Sequence, residues 1–279
     1  MIHTHIERII LHIAYPLILT IAIYLLWLLL RVCVFDYFTI PSESMMPTLR
    51  TGDKVVVNKL LMGGRIYKDL NFDKEGQELQ SWRLKGLREV QHNDICVFNY
   101  PKHKNRISFV INHCFCKRCV ALPGDTLSIV GGYYRNNNYR DSLGLPCEQE
   151  KLAAMPDSLF PTKKLLGRKL GWTVHEFGPL YIPRKDDQIP ITPREALLYK
   201  QILQWELGGK TLRWNNATGV VTADNDTLRT HVWQHNYYFM AGDNVCSSND
   251  SRYWGLVPEE YIIGIVGWII RPTPRTPSR

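Results

Sequence analysis

Among the 279 residues there is no long run of basic side chains and no basic patch interleaved with aromatics, although Lys and Arg outnumber Asp and Glu by 34 to 26 for a net charge of +8. Charge scattered in this way is solvated surface with some attraction to anionic lipid, and it argues against nucleic-acid binding. Helical periodicity is scarce and no internal repeat is visible, which excludes a helical bundle and a solenoid. Apolar residues are not lacking: at 45% they suffice for a real core, in one large or two modest domains. The seven cysteines are odd in number, so intramolecular disulfides cannot use them all, and spacing alone fixes no pairing.

Formal charge is missing altogether from residues 9–30. A helix of that length reaches roughly 33 Å, enough to cross the hydrocarbon core. His12, Pro16 and Thr20 interrupt the run without a fixed charge, and it ends in RVCVF (31–35), with no small-x-small cleavage site. The run predicts an uncleaved membrane anchor preceded by a short cytoplasmic leader, 1–8; the alternative is a buried core helix. Orientation does not follow from charge, because Arg8 precedes the run while Arg31, Arg50, Lys54 and Lys59 follow it.

Beyond the anchor, short apolar runs alternate with Gly, Pro, Asn and Asp. Residues 55–57, 95–98, 107–111, 180–182, 219–221 and 237–240 have strand length and strand-like composition. The best helical candidate is 192–207, opening on Thr-Pro-Arg-Glu and closing before two glycines. The apolar run 261–270 is too short to span as a helix and predicts a buried strand. The expectation is a mainly β domain over 31–270. Its polar segments 68–91 and 133–184 read as insertions, the second within a cap region reaching residue 235, and 271–279 reads as a disordered tail.

Three segments carry chemistry. IPSESMMPTL (40–49) sets Ser42 and Ser44 beside two methionines. CKRCVALPGD (116–125) carries Lys117 amid apolar neighbours, and strand alternation puts Phe115, Lys117 and Cys119 on one face. An inward lysine loses hydration, becomes neutral near physiological pH and can take a proton from a serine; read alone, it is an ordinary snorkelling surface residue. GDNVCSSNDSRYWG (242–255) offers an Asp250–Arg252 pair, Asp243 and Asn244 for turn amides and Ser248 beside a catalytic amine; read alone, it is a well-structured turn.

Taken in order, 40–49 with Gly52 and Asp53, DICVFNYP (94–101), KRCVALPGD (117–125) and the 242–255 loop, behind the amino-terminal run, resemble the boxes of bacterial type I signal peptidases. The resemblance covers both ends of the chain and most of what lies between, apart from the insertions. It implies a single transmembrane helix followed by an all-β catalytic domain with an inserted β-rich cap. It implies a membrane-bound serine endopeptidase that removes signal peptides from exported preproteins after Ala-x-Ala type sites, at the outer face of the cytoplasmic membrane, with no metal or other cofactor. Signal peptides and membrane lipid are the implied partners, and nucleic acid is not.

Carried over by motif position, Ser44 is the nucleophile and Lys117 the general base. The Ser42 hydroxyl and the Ser44 backbone N–H form the oxyanion hole, and Ser248 orients the amine. Phe38, Ile40, Pro41, Met45, Leu49, Phe115 and Cys116 wall shallow pockets for small residues, while the methionines also read as plain core. Asp243, Asn244, Asp250 and Arg252 support the site. The sequence departs from the family pattern at Val245-Cys246, where many members carry Arg-Asp, which implies a smaller charge network, and at Cys116, where a larger aliphatic is common. Cys114, Cys116 and Cys119 beside His113 have metal-like spacing, but a strand turns the first two away from the third. Two sequons, 216–218 and 225–227, are not routine glycosylation sites in a bacterial chain. The competing functions are an anchored β module that binds extended peptides without catalysis, and a self-cleaving Ser-Lys repressor-type protease, against which the anchor argues.

Overall fold

The structure is a computed structural model that describes residues 2–68, 81–103, 106–110, 113–160 and 164–272. Helix α1, Ile2–Cys33, starts earlier than the apolar run, and its segment His12–Cys33 is long and apolar enough to cross a membrane, with none of it buried in the protein. Pro16 lies inside the helix, and the Thr20 hydroxyl donates to its carbonyl at 2.8 Å.

Seven strands build the main sheet: β1 Phe35–Thr39, β2 Lys54–Asn58, β3 Ile95–Asn99, β4 Cys114–Ala121, β5 Tyr237–Ala241, β6 Val257–Pro258 and β7 Ile262–Ile270. Their order is β1-β2-β7-β3-β4-β5-β6, and every neighbouring pair is antiparallel. The run 261–270 is therefore a strand, wedged between β2 and β3. Gly264 is required there, since a Cβ would stand 2.6 Å from the Asn58 carbonyl oxygen.

Period-2 alternation separates two cores. On β3, Cys96 and Phe98 join a large cluster with Cys119, Phe239 and Ile262, whereas Val97 joins a smaller one with Ile40, Met45, Leu49, Val55 and Val57 on the opposite face. Between β4 and β5 the chain forms a β-rich lobe. Its three-stranded sheet, Tyr133–Asn136, Thr126–Val130 and Phe177–Tyr181, packs Leu127, Ile129, Phe177 and Leu180 into the large core, with the Phe177 and Phe239 rings 5.8 Å apart. The segment expected as an insertion thus extends the main hydrophobic core.

Three expectations need correction. The helix over 192–207 is two, Pro193–Leu198 and Lys200–Glu206, because Tyr199 leaves the helical region and donates its hydroxyl to the Tyr181 carbonyl at 2.7 Å. Its capping box is present at Thr192 and Glu195. The strand over 107–111 shrinks to Arg106–Ile107, paired with Lys102–His103, while 111–112 lie outside the described residues. The strand expected at 219 begins at Val221, since Gly219 holds φ +69°. Residues 69–80 of the first insertion and 273–279 of the tail also lie outside the described residues.

Candidate active site

The turn between β1 and β2 closes on itself: the Ile40 N–H donates to the Asp53 carbonyl and the Gly52 N–H to the Ile40 carbonyl, both at 2.8 Å. A single 3-10 turn, Glu43–Met45, sits at its tip. Met45 and Leu49, 1% and 0% exposed, plug the turn into the small core. With Met45 and Leu49 held below, Ser44 is presented on the other side, against β4.

There the Lys117 Nζ hydrogen-bonds Ser44 Oγ in a very short contact. Lys117 is 2% exposed, and its amine lies over the Phe115 ring, 5.8 Å from the centroid. Burial pulls the Lys117 pKa below the ordinary 10.5, against the opposing pull of the Asp250 carboxylate. A base that loses its proton more readily thus touches a hydroxyl that needs one removed. Ser42 Oγ lies 3.3 Å from Ser44 Oγ.

The 242–250 loop holds this turn from the side. Asn244 donates its backbone N–H to the Ser44 carbonyl and its Nδ2 to the Glu43 carbonyl, each at 3.2 Å. Gly242 makes the approach possible, since a Cβ there would stand 2.1 Å from Ser248 Oγ and 2.4 Å from the Ser44 carbonyl oxygen. Behind the loop Asp250 and Arg252 form a fully buried bidentate pair at 2.8 Å; Asp250 also accepts from the Gly242 N–H at 3.1 Å, and Arg252 donates to the Val245 carbonyl at 2.8 Å. Burial pushes the Asp250 pKa up, but the Arg252 charge and these hydrogen bonds outweigh it and hold the carboxyl below its usual value.

Ser248 is buried, yet its hydroxyl has no hydrogen-bond partner among the described residues, so the contact expected with the lysine is not made in this structure. Asp243 supports the turn through side chains rather than turn amides: it accepts from Arg118 Nε and Nη2 at 2.6 and 2.7 Å, and the Thr48 hydroxyl also donates to it. Arg118 and Thr48 escaped the sequence reading. The signal was in reach, because alternation turns the neighbour of an inward Lys117 toward the other side. The Arg118–Asp243 ion pair supplies charge where Val245 and Cys246 do not.

Ser42, Glu43, Ser44, Phe115, Lys117, Ser247 and Asn249 line an open groove of about 360 Å³. Of the expected pocket walls only Phe115 lines it. Ile40, Met45 and Leu49 are core residues beneath it, Phe38 and Cys116 pack against that core, and Pro41 is exposed. Burial pushes the Cys116 thiol up to about 12, which keeps it a neutral packing group. Cys114 and Cys116 pack on the small-core face and Cys119 in the large core, so the three thiols do not converge. On the side of β4 away from β3, β5 pairs only along 118–121, so the stretch beside Lys117 has a strand on one side.

The profile of the family described as "Signal peptidase, peptidase S26" matches residues 12–270. The chain is 29% identical over 260 residues to a Signal peptidase I of Pseudomonas fluorescens, covering 89% of this chain and 69% of that one. It is 27% identical over 259 residues to a Signal peptidase I of Aquifex aeolicus, covering 90% and 81% respectively. A Signal peptidase I of Buchnera aphidicola from Schizaphis graminum is 27% identical over 247 residues, covering 85% of this chain and 68% of that one.

Proposed function

Because the chain belongs to the signal peptidase S26 family and is thereby a serine endopeptidase of signal peptides, we propose that Ser44 is its nucleophile and Lys117 its general base. The observation that carries this reading is the direct contact of the buried Lys117 amine with Ser44 Oγ. The neutral amine accepts the Ser44 proton as Oγ attacks the scissile carbonyl, then returns it to the leaving amine; water repeats the cycle on the acyl-enzyme. The Ser44 backbone N–H and the Ser42 hydroxyl stabilise the tetrahedral oxyanion, a contribution on the order of 3 kcal/mol for each such donor. Asp243, Asn244, Asp250 and Arg252 hold the Ser44 turn, and the buried, unpartnered Ser248 hydroxyl is the group assigned to orient the amine.

An extended substrate adds beside β4 where β5 has ended, its backbone giving affinity and the shallow groove beside Phe115 favouring small side chains of the Ala-x-Ala type. The groove is shallow because Met45 and Leu49 fill the volume below it. Residues 9–30 anchor the chain in the cytoplasmic membrane, with the domain 31–270 on the extracytoplasmic side, where cleavage sites emerge close to lipid. The deciding experiment is cleavage of a preprotein by the detergent-solubilised chain, with sequencing of the new amino terminus. The expected result is cleavage after a small residue, lost in Ser44→Ala, in Lys117→Ala and also in Lys117→Arg, whose guanidinium does not deprotonate at usable pH. Appreciable turnover by the arginine variant excludes Lys117 as the base.

A further inference from the structure

Where the last turns of α1 meet the sheet, a second cavity of about 410 Å³ opens on the face away from Ser44's groove, with Leu28, Arg31, Val32, Phe38, Lys59 and Arg65 in its wall. Among the described residues its charges do not balance. Asp36 accepts from Lys59 Nζ at 3.0 Å and from Arg31 Nε at 3.4 Å, so one carboxylate already serves two cations. Arg65, only 7% exposed, bonds neutral groups: Nη1 donates to Asn99 Oδ1 at 2.8 Å and to Tyr67 Oη at 3.3 Å, and Nη2 to the Ile262 carbonyl at 2.9 Å. Its Nε is buried and has no partner among the described residues. Arg83 donates to the same Ile262 carbonyl, and burial together with the Arg65 charge pulls its guanidinium down to about 10. A cation buried without a counter-charge is costly, and a guanidinium is shaped to take a phosphate.

We propose that this cavity binds the phosphate of an anionic phospholipid, with Arg31, Lys59 and Arg65 as its cationic wall. The source is lipid because of where the cavity lies. Leu28 and Val32 belong to the exposed apolar surface of α1 and continue the wall along an acyl chain, and Arg31 sits between the Trp27 and Tyr37 rings, 5.5 and 5.7 Å from their centroids, at the level where such aromatics meet headgroups. The proposal rests on the membrane-anchor reading of α1 and not on the Ser44–Lys117 chemistry.

The test is native mass spectrometry of the full chain in detergent micelles, titrated with phosphatidylglycerol or with phosphatidylcholine of the same acyl chains. One phosphatidylglycerol should be retained per chain in preference to phosphatidylcholine. Arg31→Gln and Lys59→Gln should each weaken phosphatidylglycerol about fivefold, the scale of one basic residue at an anionic surface, and leave phosphatidylcholine unchanged. Lys169→Gln, on the surface of the lobe, should change neither. Equal retention of the two lipids, or unaltered phosphatidylglycerol retention in the Arg31 variant, overturns the proposal. Displacement of the lipid by equimolar glycerol 3-phosphate overturns the lipid assignment in favour of a free phosphate. Lys59 also bonds the Arg31 carbonyl at 2.9 Å, so if its variant loses its melting transition the half-buried Arg31 carries the conclusion.

Discussion

Adding one methyl group at Gly242 tests whether the loop–turn contact sets the position of Ser44. Ordinary contact begins near 3.4 Å, so the new carbon is roughly 1.3 Å too close to Ser248 Oγ, at 2.1 Å, and 1.0 Å too close to the Ser44 carbonyl oxygen, at 2.4 Å. The Ser248 hydroxyl can rotate but its Cβ, 2.6 Å from the new carbon, cannot, and the carbonyl is backbone, tied to the Asn244 N–H at 3.2 Å and braced below by Met45. The turn must therefore move by about 1 Å relative to Lys117, and a misplacement of that size costs about 10²-fold in rate, or roughly 2.7 kcal/mol of barrier. The assay is kcat/KM on a preprotein alongside a thermal melt. Gly242→Ala should lose about 10²-fold with most of the loss in kcat. Gly242→Ala with Ser248→Gly removes the two Ser248 clashes but leaves the one with the Ser44 carbonyl, and should recover little. Activity within threefold of wild type in a folded Gly242→Ala protein would refute the reasoning.

Because burial depresses the Lys117 pKa, the rate at limiting chemistry should rise with pH through a value below 10.5 as the amine loses its proton; a flat profile from acid to alkaline pH contradicts Lys117 as base. Asp250→Asn leaves Arg252 buried without its charge partner and should cost about 3–5 kcal/mol, read from denaturant unfolding; a loss under about 1 kcal/mol contradicts the structural weight given to the pair. The His235 pKa is raised: burial lowers it, but Glu260, hydrogen-bonded to Nδ1 at 2.6 Å, more than compensates. Its stabilisation is therefore full below the unfolded value near 6.5 and is lost as pH rises through the higher folded value. Glu260→Gln should flatten that part of the stability–pH curve, and an unchanged slope there would assign it to another group.

Strand alternation around Lys117 and the β-branched run ending at Ile270 were legible because they are local patterns that the sheet preserves. The same locality explains the misses. The helix over 192–207 breaks at Tyr199, which leaves helical φ/ψ and bonds Tyr181, a partner 18 positions away that no helical pattern contains. Met45 reads from composition as pocket wall or as core and Leu49 as pocket wall, and the decision lies with Val55, Val57 and Val97, which arrive from two other strands. Arg118 was overlooked because its partner Asp243 is 125 positions away. Serine and lysine together are visible in the string, whereas the absence of a Ser248–Lys117 bond is a matter of side-chain placement that no motif encodes.

The position of β7 also sets the order in which function becomes possible. It comes latest in sequence of the seven strands yet occupies the interior slot between β2 and β3, and β3 is the strand that carries β4 and its lysine. Until β7 is made, the half-sheet bearing Ser44 and the half-sheet bearing Lys117 have no ladder between them, and neither the small core nor the groove can close. Loop-closure entropy further delays pairings of such long sequence separation. Ser44 and Lys117 therefore depend for their meeting on the strand that is made last, and the groove closes only when the sheet is complete.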